Sequence, residues 1–167
     1  MQEEVDGVVC GNKSVRLADG DKLPYTKSTI SEIFRLSSVF PTAVFHATTA
    51  GPVDLEEGYL LPAQTMVASN LRCIMMNEGE FAKADNFEPE RHLNSSGQFQ
   101  PSPHLVPFGL GKRRCLGEEA FAKNIFFLFF ANLVRTFAIE GVHLGTEPVW
   151  GFTRELPPFT VKMSKRF

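Results

Sequence analysis

The sequence predicts an α+β fold, mainly α-helical with small β-sheets, and three observations carry that reading. Two segments, one opening at Pro24 and one ending near Phe137, show helical start signals or an apolar stretch of helical length. Short runs rich in β-branched and aromatic residues, such as Ala43–Thr49, sit between and after them, cut by Pro and Gly. The middle is irregular: Phe81–Leu93 is polar around Pro89, and Asn94–Pro107 is a surface loop rich in Ser, Gln and Pro.

Leu23-Pro24 opens a helix through about Leu36, with Pro at the first helical position and Tyr25, Thr29, Ile33 and Leu36 on one face beside Ile30. Pro41 follows its end. Ala43–Thr49 (AVFHATT) reads as a strand. Tyr59–Leu61 and Thr65–Ala68 flank Pro62-Ala63-Gln64 as the two arms of a hairpin. Asn70 caps a short helix over Leu71–Met76. A second long helix runs from about Gly117 to Phe137 and carries the apolar run Ile125–Ala131. That run is too short for a membrane span, which needs about 18 apolar residues or more, and is read as a buried helix. The C-terminal piece, ending PPFTVKMSKRF, reads as strands and turns.

Composition narrows the function. The 167 residues are 43% apolar and 22% charged, ordinary for one globular domain and unlike a disordered or collagenous chain. Seventeen Lys and Arg against nineteen Asp and Glu leave a net charge of -2, which argues against nucleic-acid binding through bulk charge. Cys10, Cys73 and Cys115 are odd in number and far apart, so neither a disulfide framework nor a Cys-based zinc site fits. Sixteen Phe against two Tyr and one Trp mark a preference for purely apolar rings. The start, MQEEVDGVVC, is acidic and lacks the basic flank and apolar stretch of a signal peptide.

The segment Phe108–Gly117, FGLGKRRCLG, resembles the haem-ligand signature of the cytochrome P450 superfamily, the haem-thiolate monooxygenases. Phe108, Gly111, Arg113, Cys115 and Gly117 fill every fixed position, where about 10⁻⁴ chance matches are expected. The residue types suit the chemistry. A thiolate axial ligand pushes electron density onto iron and favours O–O cleavage. Amide groups at the start of the following helix can hydrogen-bond the sulfur. Gly111 and Gly117 would allow unusual backbone angles and close approach to a flat macrocycle. Phe108 would shield the sulfur, and Arg113 offers a planar fork for a haem propionate.

Glu32-Ile33-Phe34-Arg35 matches the family's ExxR helix motif, a pair three apart on one helix face. Alone it carries little weight, since about 0.75 chance matches are expected. Its place before the cysteine loop, with FEPERHL (Phe87–Leu93) between, gives it meaning by resemblance to the family's PERF motif. The resemblance implies a structural triad of Glu32, Arg35 and Arg91, a buried charge network stable only when fully paired. His92 stands where the family usually has Phe. The resemblance also sets His46 toward a propionate, and Ala43, Val44, Phe45 and Phe152 toward substrate. Pro62-Ala63-Gln64 departs from the family's Pro-Lys-Gly, which predicts a looser turn. Trp150 and Arg154 imitate another haem-binding pair but follow the cysteine instead of preceding it, and receive no role.

Resemblance implies a wider function: a monooxygenase using haem b (iron protoporphyrin IX) held by Cys115, O₂ and an apolar small-molecule substrate. Electrons would come from an NADPH-dependent reductase docking at Lys112, Arg113 and Arg114, on the cytosolic face of the endoplasmic reticulum. The expected domain is residues 1–167 as the C-terminal, haem-ligand portion of that fold, with its N-terminal part absent. No Gly-x-[Asp/Glu]-Thr sequence, the family's oxygen-handling pair, occurs in this chain. The alternative is therefore a truncated, catalytically inactive fragment or a weak haem-binding module.

Overall fold

The computed structural model describes residues 1–11, 13–55, 58–143 and 147–167. Among the described residues there are four helices, α1 (Gln2–Val8), α2 (Pro24–Ser37), α3 (Leu71–Met75) and α4 (Lys123–Thr136), and eight short strands, four between α2 and α3 and four after α4. The strands pair into four separate two-stranded antiparallel ribbons. This is the mainly helical α+β arrangement the sequence predicts.

Helices α1, α2 and α4 enclose the main core, built from Val5, Val9, Val15, Leu23, Ile30, Phe127 and Ala131. Phe34, Phe126 and Phe130 pack on its flank, with ring centroids 4.9 Å apart for Phe34–Phe126 and 5.9 Å for Phe126–Phe130. Four of the sixteen Phe, Phe34, Phe126, Phe127 and Phe130, thus reside at one three-helix junction. A smaller cluster of Leu71, Met75 and Val106 seats α3 beneath the loop that leads to Cys115.

Helix α2 begins at Pro24 as its sequence demands, but the cap comes from far away. Glu4 of α1 accepts from the Tyr25 amide (2.8 Å), the Thr26 amide (2.9 Å) and the Thr26 hydroxyl (2.7 Å). A carboxylate at a helix N-terminus satisfies orphan donors and complements the dipole. The other end is closed by Arg154, whose guanidinium Nη1 donates to the carbonyls of Leu36 (2.8 Å) and Ser37 (2.7 Å). Arg154 and Arg72 also lie over the Trp150 ring, at 5.4 and 5.6 Å.

Two expectations need correction. The deepest face of α2 is polar: Thr26, Ser28, Thr29, Ser31, Glu32 and Arg35 are buried with Ile30, whereas Tyr25, Ile33 and Leu36 are only half-buried. The reason is its partner, a polar segment around Pro89–His92 that packs along it and hydrogen-bonds to Glu32. The expected hairpin does not form either. β3 (Tyr59–Leu61) pairs back with β2 (Val53–Leu55), and β4 (Met66–Val67) pairs with β1 (His46–Ala47), all that is strand of the expected Ala43–Thr49. Gln64 takes the left-handed φ of 62° in the turn between them, and its amide donates to Thr48 O at 2.7 Å, so the turn is tied down rather than loose. The long helix expected from about Gly117 to Phe137 does form, opening as a π-turn over Glu118–Ala122 and handing over to strand β5 (Phe137–His143) after Thr136. The amides of Phe121 and Ala122 both reach Gly117 O, which widens that first turn.

Strand β5 pairs with β8 (Thr160–Lys165), and β6 (Val149–Trp150) with β7 (Arg154–Glu155). Asn132 and Arg135 of α4 bind the chain before α2: Asn132 exchanges bonds with the Val15 backbone at 2.8 and 3.1 Å, and Arg135 Nε donates to Lys13 O at 2.9 Å.

Candidate functional site

The cysteine loop is a tight knot of backbone. Gly109 and Gly111 hold φ of 78° and 74°, angles open to glycine at no steric cost. The Cys115 amide donates to Phe108 O at 3.0 Å, closing the loop, and the Arg114 amide donates to Gly111 O at 3.2 Å. Gly117 has an ordinary right-handed backbone (φ -83°), so the unusual angle expected there is absent. A Cβ on it would lie 3.9 Å from the Cys115 sulfur, an ordinary contact. Gly109, which the motif leaves unspecified, carries the positive φ instead.

Cys115 is exposed, and it lines an open cleft of about 570 Å³. The same cleft is lined by Phe108, Arg113, Ala43, Val44 and His46, so the fold brings six of the singled-out residues to one place. Phe34 and Phe40 contribute to its apolar wall. Phe45 and Phe152 lie outside the lining; Phe152 meets Phe40 edge-on at 5.8 Å and so borders it. Phe108 stands edge-on to Phe34 at 5.4 Å, which couples the cysteine loop to α2.

The donor set fits a haem. A soft sulfur stands in a largely apolar hollow, with a guanidinium and an imidazole available for carboxylates. Among the described residues, the amides of Leu116 and Gly117 make no backbone hydrogen bond, leaving two donors beside the sulfur.

Glu32, Arg35 and Arg91 meet in one hydrogen-bonded group behind the cleft. Arg35 makes a two-point contact, Nη2 to Glu32 Oε1 at 2.8 Å and Nε to Oε2 at 2.9 Å, with both side chains 0% exposed. Arg91 Nε and the Glu88 amide add 3.0 and 3.1 Å contacts to Oε1. Burial alone would raise the Glu32 pKa. Hydrogen bonds from Arg35, His92 and the Glu88 amide, with the charge of Arg35, outweigh it and hold the carboxyl well below the usual range. The remaining donors of Arg35 reach Met75 O (2.9 Å) and Ala84 O (2.7 Å), so the guanidinium also pins α3 and the loop after it.

Sequence reasoning did not place His92 in this group. Its Nε2 lies 2.9 Å from Glu32 Oε2, and the residue is completely buried. The available signal was a polar residue in a motif position that is otherwise aromatic.

Comparisons with known proteins agree with this architecture. The family model described as Cytochrome P450 matches residues 1–162. Cytochrome P450 2U1 of Homo sapiens is 34% identical over 99% of this chain, which covers 31% of that protein. Its Mus musculus counterpart is 36% identical over 99% of this chain and 32% of its own length. Cytochrome P450 2C14 of Oryctolagus cuniculus is 35% identical over 84% of this chain, covering 28% of that protein. The chain thus spans about a third of the length of the curated relatives it matches. With the cysteine loop, the Glu–Arg helix pair and this likeness along almost all of its length, the chain belongs to the cytochrome P450 family.

Proposed function

We propose that this chain forms the haem-ligand portion of a monooxygenase, with Cys115 as the thiolate ligand of haem b. The observation that carries the reading is the cleft in which Cys115, Arg113 and His46 converge on an apolar hollow. Bound there, haem supplies the chemistry that activates O₂ and inserts one oxygen atom into an apolar substrate.

The chain's own residues do the holding. Cys115 presents sulfur as the ligand, and the Leu116 and Gly117 amides, which make no backbone bond, are the donors available to moderate its basicity. Phe108 and Phe34 exclude water from that side of the loop. Arg113 and His46 take the carboxylates at the rim. Ala43 and Val44, with Phe45 and Phe152 nearby, form an apolar approach for substrate. The charge group of Glu32, Arg35 and Arg91 fixes α2 against the segment leading to the loop and has no part in the chemistry. Residues 1–167 then act as one partial P450 domain. Lys112, Arg113 and Arg114 are exposed beside Cys115 and suit docking of an acidic face on an NADPH-dependent reductase. The site of action in this reading is the cytosolic face of the endoplasmic reticulum. Among the described residues no helix is long and apolar enough to cross a membrane.

A second reading is favoured by exposure: Cys115 is exposed and Leu116 is 97% exposed, so the cysteine loop stands open to solvent. In that reading the 167-residue chain holds haem weakly without inserting oxygen. A ferrous–CO spectrum tests ligation for both, on the chain and on the chain joined to the upstream two thirds of a relative. Cys115→Ser abolishes the red-shifted thiolate band, and Cys73→Ser leaves it. Retention of the band in Cys115→Ser overturns the assignment. Turnover with added reductase by the chain alone excludes the second reading.

A further inference from the structure

We propose that His92 is a positioning residue, a fourth member of the Glu32 group that sets the register of the segment 93–100 on α2. The carboxylate of Glu32 only accepts, so the 2.9 Å contact to Oε2 is a donation from His92 Nε2. The other ring nitrogen, Nδ1, is buried without a partner, so the ring holds the group through Nε2 alone. His92 and Arg35 Nε are the two groups that fill Oε2, while Arg35, Arg91 and Glu88 fill Oε1. A phenylalanine at 92 would leave that oxygen with Arg35 alone.

The backbone of His92 extends the effect. Its carbonyl accepts from the Gln100 amide at 2.8 Å, and it lies 3.4 Å from the Ser28 hydroxyl, whose single proton goes to Pro24 O at 2.9 Å. That bond, with the Leu93–Phe99 bridge, folds 93–100 back on itself, and the ring's contact with Glu32 ties that fold to α2. The ring is therefore the peg, and the carbonyl is the point from which the chain toward Cys115 departs. This role is independent of whether haem is bound.

Hydrogen exchange of the whole 167-residue chain, read by mass spectrometry over 88–101, tests it. His92→Phe accelerates exchange at Leu93 and Gln100 by about tenfold to a hundredfold, the range of a hydrogen bond to a charged group. His92→Gln restores a donor at the Nε2 position and brings exchange back to within about threefold of the parent. On the unmutated chain, solid-state ¹⁵N spectra of labelled histidine show a protonated Nε2 in the signal that both variants lose. Three results overturn the proposal: exchange in His92→Phe no faster than in the parent, exchange in His92→Gln as fast as in His92→Phe, or an unprotonated Nε2.

Discussion

Removing the Glu32 carboxylate strands a whole group of buried donors at once. Glu32→Ala takes the acceptor from two donors of Arg35, one of Arg91, the His92 ring and the Glu88 amide. Each buried donor left unpaired costs about 1–3 kcal/mol, but the five do not add, because Arg35 Nη2 keeps its bond to Ala84 O and the Arg91 side chain, 11% exposed, can recruit water. The relevant scale is that of breaking a buried pair, about 3–5 kcal/mol. Against a typical domain stability of about 5–15 kcal/mol, that loss leaves a large open population. Arg35→Ala acts from the other side and strands the same carboxylate. The double variant removes both problem charges, so its loss falls short of the sum by about 0.5–3 kcal/mol. Hydrogen exchange over 24–38 and 81–101 reads all three as opening free energies. The pH dependence has a definite sign. Glu32 is held below the usual carboxylate range in the folded chain, so its contribution is complete above about pH 4.3 and is lost as pH falls toward the folded value. Glu32→Ala therefore flattens the acid-side loss. Additive single losses, or an unchanged acid slope, would refute the reasoning.

Other predictions address the loop, its basic flank and the apolar surface. Gly111→Ala forces a side chain into φ 74° and costs about 1–2 kcal/mol although its Cβ meets nothing, whereas Gly117→Ala, at φ -83°, is close to neutral for folding. Exchange protection across 105–118 separates them. Replacing Lys112 and Arg114 with Glu weakens association with an acidic electron donor and lowers its salt dependence, measured by titration at two ionic strengths. Phe121, Ile125 and Phe129 lie four apart and are 65%, 48% and 68% exposed, so the isolated chain self-associates in sedimentation. Substituting all three with Gln shifts it toward monomer.

What the sequence made legible was local. Pro24 marks the start of α2 because a fixed φ and a missing N–H cost nothing at a first helical position, and Asn70 marks α3 because its Oδ1 accepts from the Cys73 amide at 2.9 Å. The cysteine loop was legible for the same reason: Phe108, Gly111, Arg113, Cys115 and Gly117 lie within ten positions, and their spacing is the geometry. Pairings made at a distance were not legible. Tyr59–Leu61 and Met66–Val67 look like the arms of one hairpin, and no local rule tells that each finds its partner upstream. Helix α1 has no strong period, and Glu4 makes its principal contact 21 and 22 residues away as the cap of α2.

The buried face of α2 shows why this division matters for the site. Hydrophobic periodicity selects Tyr25, Thr29, Ile33 and Leu36, yet the helix turns Glu32 and Arg35 inward, against the gradient that burial of charge imposes. Such an orientation is stable only where distant residues complete the hydrogen bonds, and here they come from 75, 84, 86, 88, 91 and 92. The inward face thus reports the position of the whole segment that leads to Cys115. A motif of two residues three apart could not reveal that by itself; the order of three motifs along the chain did, and it named Arg91. His92 escaped because an aromatic was expected there and only the fold shows that a ring nitrogen reaches Glu32. The cysteine's neighbourhood is local in sequence, but the frame that holds it is not, so the ligand is read from spacing and its support from structure.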